Sequence, residues 1–224
     1  MIYLRLLGFD QLFKICSLKL NIVQIENIYI FRKFIETITL ECFLSDVITL
    51  FDEDLNIIDV DEACFSIINV MNLDLNTKKN LNSLNKILLK TTYENLKKDL
   101  GNLKKEILKI VKSISLELEV SVSIKEEIKA DDLFKIVDIK FSESQENILE
   151  KLINYIIVIS KLQRKNIFLI LHIKEYLTDE EIFTLIKELS LHEIFLIDFE
   201  TRNFSGNEQS DNKIIIDEDG CLII

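Results

Sequence analysis

The chain has 224 residues, a formal net charge of −11, four glycines, four cysteines and no proline. A hydrophobic content of 48% can bury a sizeable core, which excludes an acidic disordered tail, and the glycine, proline and cysteine counts exclude collagen-like, low-complexity and disulfide-framework chains. The length suits one medium domain or two small ones.

Taken in chain order, residues 1–25 alternate loosely and predict a hairpin or two short strands. From Asn27 the period changes: Ile28, Phe31, Phe34, Ile35 and Ile38 fall on one helical face, with Asn27 as cap, so a helix is expected to about Leu40. Residues 47–51 read as a strand, 52–54 as a turn and 55–60 as a strand that hands over to a helix capped by Asp59 or Asp61. Leu96, Leu100, Leu103, Ile107, Ile110 and Ile114 then recur in steps of four and three, the seam of a long helix that continues backward less regularly through Leu81, Leu84 and Leu88, with Gly101 as a place for a bend or a close helix contact. A short alternating stretch at 116–124 separates this seam from helical faces at 132–137 and 148–162. Strand grammar returns with the apolar run 167–171. Thr178 and Glu181 form a capping box, and 194–197 is the next strand, so a right-handed parallel crossover is expected there, with Leu171 and Asp198 at the same sheet edge. Residues 201–212 read as a surface loop, and 213–216 with 222–224 as a closing hairpin around Asp219 and Gly220. The whole is an α/β sheet domain of residues 1–71 and 163–224, interrupted by a helical insertion of 72–162.

Chemical motifs are sparse. Gly8, Gly101, Gly206 and Gly220 are dispersed and open neither GxxxxGK nor GxGxxG, so the usual nucleotide cradles are absent. Asp198 follows a strand where a hydrolase could hold a metal, but no phosphate loop accompanies it. His172 and His192 read as ordinary surface or strand-edge residues, the serines lack a GxSxG elbow, and Cys16, Cys42, Cys64 and Cys221 read as free thiols. No nucleotide partner and no catalytic residue are expected. The longest apolar runs, 155–159 and 167–171, fall far short of the roughly 18–20 residues of a membrane span. Arg5, Asp10 and Lys14 interrupt any secretory signal, so a cytoplasmic location is expected.

Charge is unevenly spread. Between Lys90 and Lys112 seven lysines face three carboxylates, and Lys161, Arg164 and Lys165 form a second basic group. Such groups can hold a phosphate backbone without reading sequence, or can be the solvated face and C-terminal cations of helices. Between Glu117 and Glu150 ten carboxylates face four lysines. Glu127 and Asp131 would stand one turn apart, and a hard cation such as calcium could relieve them with Glu117 or Glu119, although no EF-hand loop is present and solvent can do the same.

The stretches NIVQIENIYIFRKFIETI, SDVITLFDEDLNIIDVDEACFSIINVMNLDLNTKKNLNSLNKIL and QRKNIFLILHIKEYLTDEEIFTLIKELSLHEIFLIDFE, in this order, resemble the small, non-nuclease CRISPR-associated adaptation protein of type II-A systems. The resemblance lies in the order and lengths of elements rather than in a short motif. It implies a degenerate ATPase-like domain, related to P-loop NTPases, with an inserted helical domain. It further implies a homotetrameric ring that binds double-stranded DNA ends in a basic opening, works with other CRISPR adaptation proteins, and takes up Ca2+ on the helical region. By that resemblance the DNA-binding candidates are Lys97, Lys98, Lys104, Lys105, Lys161, Arg164, Lys165 and Lys174. The calcium candidates are Glu117, Glu119, Glu126, Glu127 and Asp132, although ELEVSVSIKE carries fewer carboxylates than the family pattern. The different-class alternative is a protein-interaction scaffold of the same fold whose lysines are merely solvated.

Overall fold

A computed structural model describes residues 2–39, 47–117, 129–142, 147–202 and 211–223. The chain divides into two compact units, one of residues 1–74 and 144–224, the other of residues 75–143.

The first unit is α/β. Strands β1 (Ile2–Leu6), β2 (Phe13–Ile15), β4 (Ile48–Phe51) and β5 (Ile57–Ile58) form an antiparallel sheet of order β2-β1-β4-β5. Strands β3 (Leu20–Ile25), β6 (Cys64–Ile67), β7 (Ile167–Leu171), β8 (Phe195–Glu200), β9 (Asp211–Ile216) and β10 (Leu222–Ile223) form a second sheet of order β10-β9-β3-β8-β7-β6. It is parallel apart from the β9–β10 hairpin. β3 and β7 are buried along their whole length; β7 accordingly reads as an unbroken apolar run, while β3 also buries the polar Asn21 and Gln24.

Helix α1 (Ile28–Thr39) turns Phe31, Phe34 and Ile38 into a core shared by both sheets, which includes Leu4, Leu50, Ile25, Phe199 and Ile216. Its cap is the expected one: Asn27 Oδ1 accepts from the amides of Tyr29 and Ile30, both at 3.1 Å, while its Nδ2 donates to the Glu218 carbonyl at 2.8 Å. Asp59 caps the single-turn helix α2 (Val60–Ala63) by accepting from Asp61 N and Glu62 N. The chain then passes at once into β6, where the sequence pattern predicts helix; pairing with β7 overrides the local signal.

Helices α6 (Ile148–Gln163) and α7 (Asp179–Ser190) pack together and belong to this unit, with Leu152, Ile156, Ile159, Leu185 and Leu189 buried. This corrects the expected insertion boundary of 162: α6 has an amphipathic pattern like the helices before it, and only its buried partners reveal which core it serves. The crossover β7-α7-β8 is parallel as expected, and Thr178 and Glu181 close the capping box. Among the described residues no helix is long and apolar enough to cross a membrane.

The second unit is helical: α3 (Lys78–Asn95), α4 (Lys97–Glu117) and α5 (Ala130–Val137). The expected long seam is broken at Leu96, the cap residue of α3, and Gly101 lies inside α4 with open space around it rather than at a close helix contact. Asn76 ties the two ends of the unit together, with its Oδ1 accepting from Phe141 N at 2.9 Å and its Nδ2 donating to Phe141 O at 3.1 Å.

Candidate nucleic-acid interface

The lysines of α4 are presented by helical periodicity. Lys98, Lys105, Lys109 and Lys112 recur at intervals of seven, four and three, which puts them in one stripe along the helix, and all four are exposed. Lys97 is exposed and Lys104 half-buried on an adjacent row. The stripe therefore includes Lys109 and Lys112, which the sequence-based candidate set omits although their spacing was legible. On the same helix Leu100 is buried, while Leu103, Ile110 and Ile114 are 48%, 59% and 50% exposed, so the apolar seam is largely uncovered within one chain.

The second basic group sits where α6 ends. Lys161 is exposed in the last turn and Arg164 is the cap residue, also exposed and in the left-handed region with φ 58°. Lys165 Nζ donates to the Asp61 carbonyl. Arg164 and Lys165 line an open cavity of about 460 Å³ together with Asp59 and Glu62, so its charge is mixed.

Lys174 departs from expectation. Its side chain is 6% exposed and its ammonium contacts Asp211 Oδ2 at 2.7 Å, in a buried ion pair rather than on a basic surface. It belongs to a polar network at the ends of β3, β7 and β8. There Asp198 and Glu200 are 0% and 1% exposed. Asp198 Oδ1 accepts from Ile173 N at 3.1 Å, and Glu200 Oε2 lies 2.9 Å from His172 Nδ1. Burial first, and the Glu200 charge second, hold the Asp198 carboxyl well above the usual carboxylate range. The hydrogen bond to Glu200 raises His172, while burial and then the Lys174 charge lower Lys213. The sequence pattern placed Leu171 and Asp198 at one sheet edge, but did not mark Glu200 as the partner of His172.

Of the acidic candidates, Glu117 is exposed at the end of α4, and Asp132, in the first turn of α5, accepts from Lys129 N through Oδ2 at 3.2 Å. Glu119, Glu126 and Glu127 lie outside the described residues, as does Cys42. Among the described residues no group of three or more His, Cys, Asp or Glu side chains is arranged to hold a metal ion, so Glu117 and Asp132 do not make a site by themselves. Cys64 is buried at the start of β6, and burial pushes its thiol up to about 12, the behaviour of an inert core cysteine.

The described residues form a mixed α/β unit interrupted by a helical insertion that carries an exposed stripe of lysines. The profile described as CRISPR-associated protein (Cas_Csn2) matches residues 44–220, and the chain belongs to that family. With membership goes a non-catalytic, oligomeric, DNA-end-binding role in CRISPR adaptation. Among solved structures the chain is similar in fold to Stu0660 of Streptococcus thermophilus, with a TM-score of 0.50 and 11% identity over 96% of this chain and 74% of that one. No curated protein matches it in sequence.

Proposed function

We propose that this chain forms a homotetrameric ring which holds double-stranded DNA ends chiefly through the α4 stripe, assisting the nucleases of CRISPR adaptation in the cytoplasm. The observation that carries the assignment is the alignment of Lys98, Lys105, Lys109 and Lys112 on one exposed helical row, in a chain that is otherwise strongly acidic. A regular row of cations suits a regular row of phosphates, and contacts of this kind carry no base information. Lys97, Lys104, Lys161 and Arg164 supplement it. Lys165 and Lys174 are secondary, because a carbonyl and a carboxylate already engage them. The uncovered seam Leu103, Ile110 and Ile114 supports self-association, since half-exposed aliphatic side chains in register gain most from a second copy.

In this reading the sheet unit is a degenerate relative of P-loop ATPases. Only Glu26 and Asn27 join β3 to α1, the connection where such an enzyme carries its glycine-rich loop, and the Asn27 side chain takes the first helix amides that would otherwise meet phosphate. Calcium belongs to the proposal through the acidic segment, with Glu117, Glu119, Glu126, Glu127 and Asp132 as ligand candidates. Hard carboxylate oxygens there would let Ca2+ relieve like-charge repulsion and order the helical unit.

Light scattering coupled to gel filtration, in calcium and then in chelator, with and without a blunt-ended duplex, tests the assignment. A species of about 105 kDa, four copies of the 26.2 kDa chain, that takes up duplex is expected. A stable tetramer indifferent to duplex would instead make the protein an interaction scaffold. Mass unchanged by chelation would remove calcium.

A further inference from the structure

Two buried carboxyl groups on β8 have no part in holding DNA. Asp198 and Glu200 are two residues apart on a strand, so both side chains leave it on the same side. Each uses one oxygen on the turn that follows β7: Asp198 Oδ1 takes the Ile173 amide and Glu200 Oε2 takes His172 Nδ1. The remaining oxygens, Asp198 Oδ2 and Glu200 Oε1, receive no donor from any described residue, yet the two side chains are within hydrogen-bonding reach of each other. Gln24, opposite Glu200 in the β3–β8 register, adds a third acceptor, Oε1, without a partner among the described residues, while its Nε2 donates to Glu26. Two ionised carboxylates in contact in a dry interior would repel and leave both oxygens unpaired. One proton between them satisfies both.

We propose that Asp198 and Glu200 share a single proton in the folded protein at neutral pH, and that this proton fastens the turn of residues 172–176 to β8, so that its loss at alkaline pH loosens the turn. The charge balance of the surroundings agrees. The turn contributes His172, Lys174 and Glu175, β9 contributes Asp211 and Lys213, Glu26 follows β3, and Arg202 follows β8. From α1 the Phe31 ring meets His172, with centroids 5.5 Å apart, and the buried residues of α6 and α7 are apolar. With His172 charged and one proton on the pair, His172, Lys174, Lys213 and Arg202 balance Glu26, Glu175, Asp211 and the single charge of the pair. Removing the proton puts a second negative charge into the buried interior. His172 already holds a left-handed backbone, φ 54°, so the turn has a strained conformation to relax once its anchor goes.

The sign follows from linkage. A carboxyl raised by folding contributes stability that is complete below its unfolded pKa of about 3.9 and is lost as pH rises through the raised value. The test uses the full chain, Asp198→Asn and Glu200→Gln. Asparagine keeps an acceptor for Ile173 N and offers an N–H to Glu200, so it imitates the protonated acid. Infrared spectroscopy is expected to show the carbonyl band of a protonated carboxyl in the wild type at neutral pH, diminished in Asp198→Asn. The wild-type urea midpoint should fall as pH rises from neutrality into the alkaline range, and Asp198→Asn should lose that alkaline fall. His172 is kept in every variant, so its own titration is common to the curves. Equal alkaline slopes in the wild type and a folded variant would overturn the proposal. If neither variant folds, the wild-type band decides: its absence at neutral pH excludes a shared proton. None of these readouts involves DNA, so their failure is separate from failure of the DNA assignment.

Discussion

The two units handle their difficult side chains in opposite ways. The α/β unit takes charge inward: Asp198, Glu200, Lys174 and His172 are wholly or partly buried and tied to one another or to backbone amides. The helical unit leaves both charge and apolar surface outside, with Lys98, Lys105 and Lys109 exposed and Ile110 and Ile114 half-exposed on the same helix. A parallel sheet covered on its faces can surround a polar network and exclude water. A short set of helices has too little interior to do so. One unit therefore buries its polar groups within the chain, while the other leaves charged and apolar side chains exposed.

Core truncation should separate the units most sharply. Ile156→Ala, at a fully buried position of α6, should cost about 2–5 kcal/mol by urea unfolding. Ile110→Ala on α4 should change the stability of an isolated subunit by less than about 0.5 kcal/mol. If Ile110→Ala destabilised the subunit as much as Ile156→Ala, the contrast between a closed and an open unit would fail. Ile110→Asp with Ile114→Asp should instead lower the mass seen by light scattering while the far-ultraviolet circular dichroism stays that of the folded chain. Retention of the full mass would show that the seam is not an intersubunit surface.

Next in size is the electrostatic contrast. Lys98→Ala, Lys105→Ala and Lys109→Ala together should weaken duplex binding and make the slope of log affinity against log salt less steep, by about 0.9 for each phosphate that is no longer neutralised. Lys174→Ala should leave that slope unchanged, because its ammonium is engaged by Asp211, and should register as reduced stability. An unchanged slope in the triple variant would take the α4 stripe out of the interface.

Smaller effects probe the sheet unit alone. Asn27→Ala removes the cap of α1 and its tie to the Glu218 carbonyl, for an expected loss of about 1 kcal/mol. His172, raised by its bond to Glu200, should add stability that is complete below about pH 6.5 and lost as pH rises through its folded value. The difference in urea midpoint between wild type and His172→Gln, followed across that range, should shrink as pH rises. A difference independent of pH would mean that His172 contributes through packing on Phe31 alone.

Local chemistry alone determined a good deal of this protein. The Asn27 and Asp59 caps, the Thr178–Glu181 box, the fully apolar run of β7 and the β9–β10 hairpin are decided by neighbouring residues, because caps, turns and hydrophobic period act over a few positions. The lysine spacing on α4 belongs with them. What only the tertiary structure decided is everything that depends on partners distant in sequence. The boundary between units turned on which core buries α6, β6 replaced a predicted helix because β7 pairs with it, and the long apolar seam was interrupted at Leu96. Lys174 looked like one more surface cation until the fold brought Asp211 against it, and Glu200 drew no notice until strand pairing buried it beside Asp198 and His172. Sequence spacing specifies which residues share a face, while burial and partner choice are fixed only when distant strands pair and exclude water.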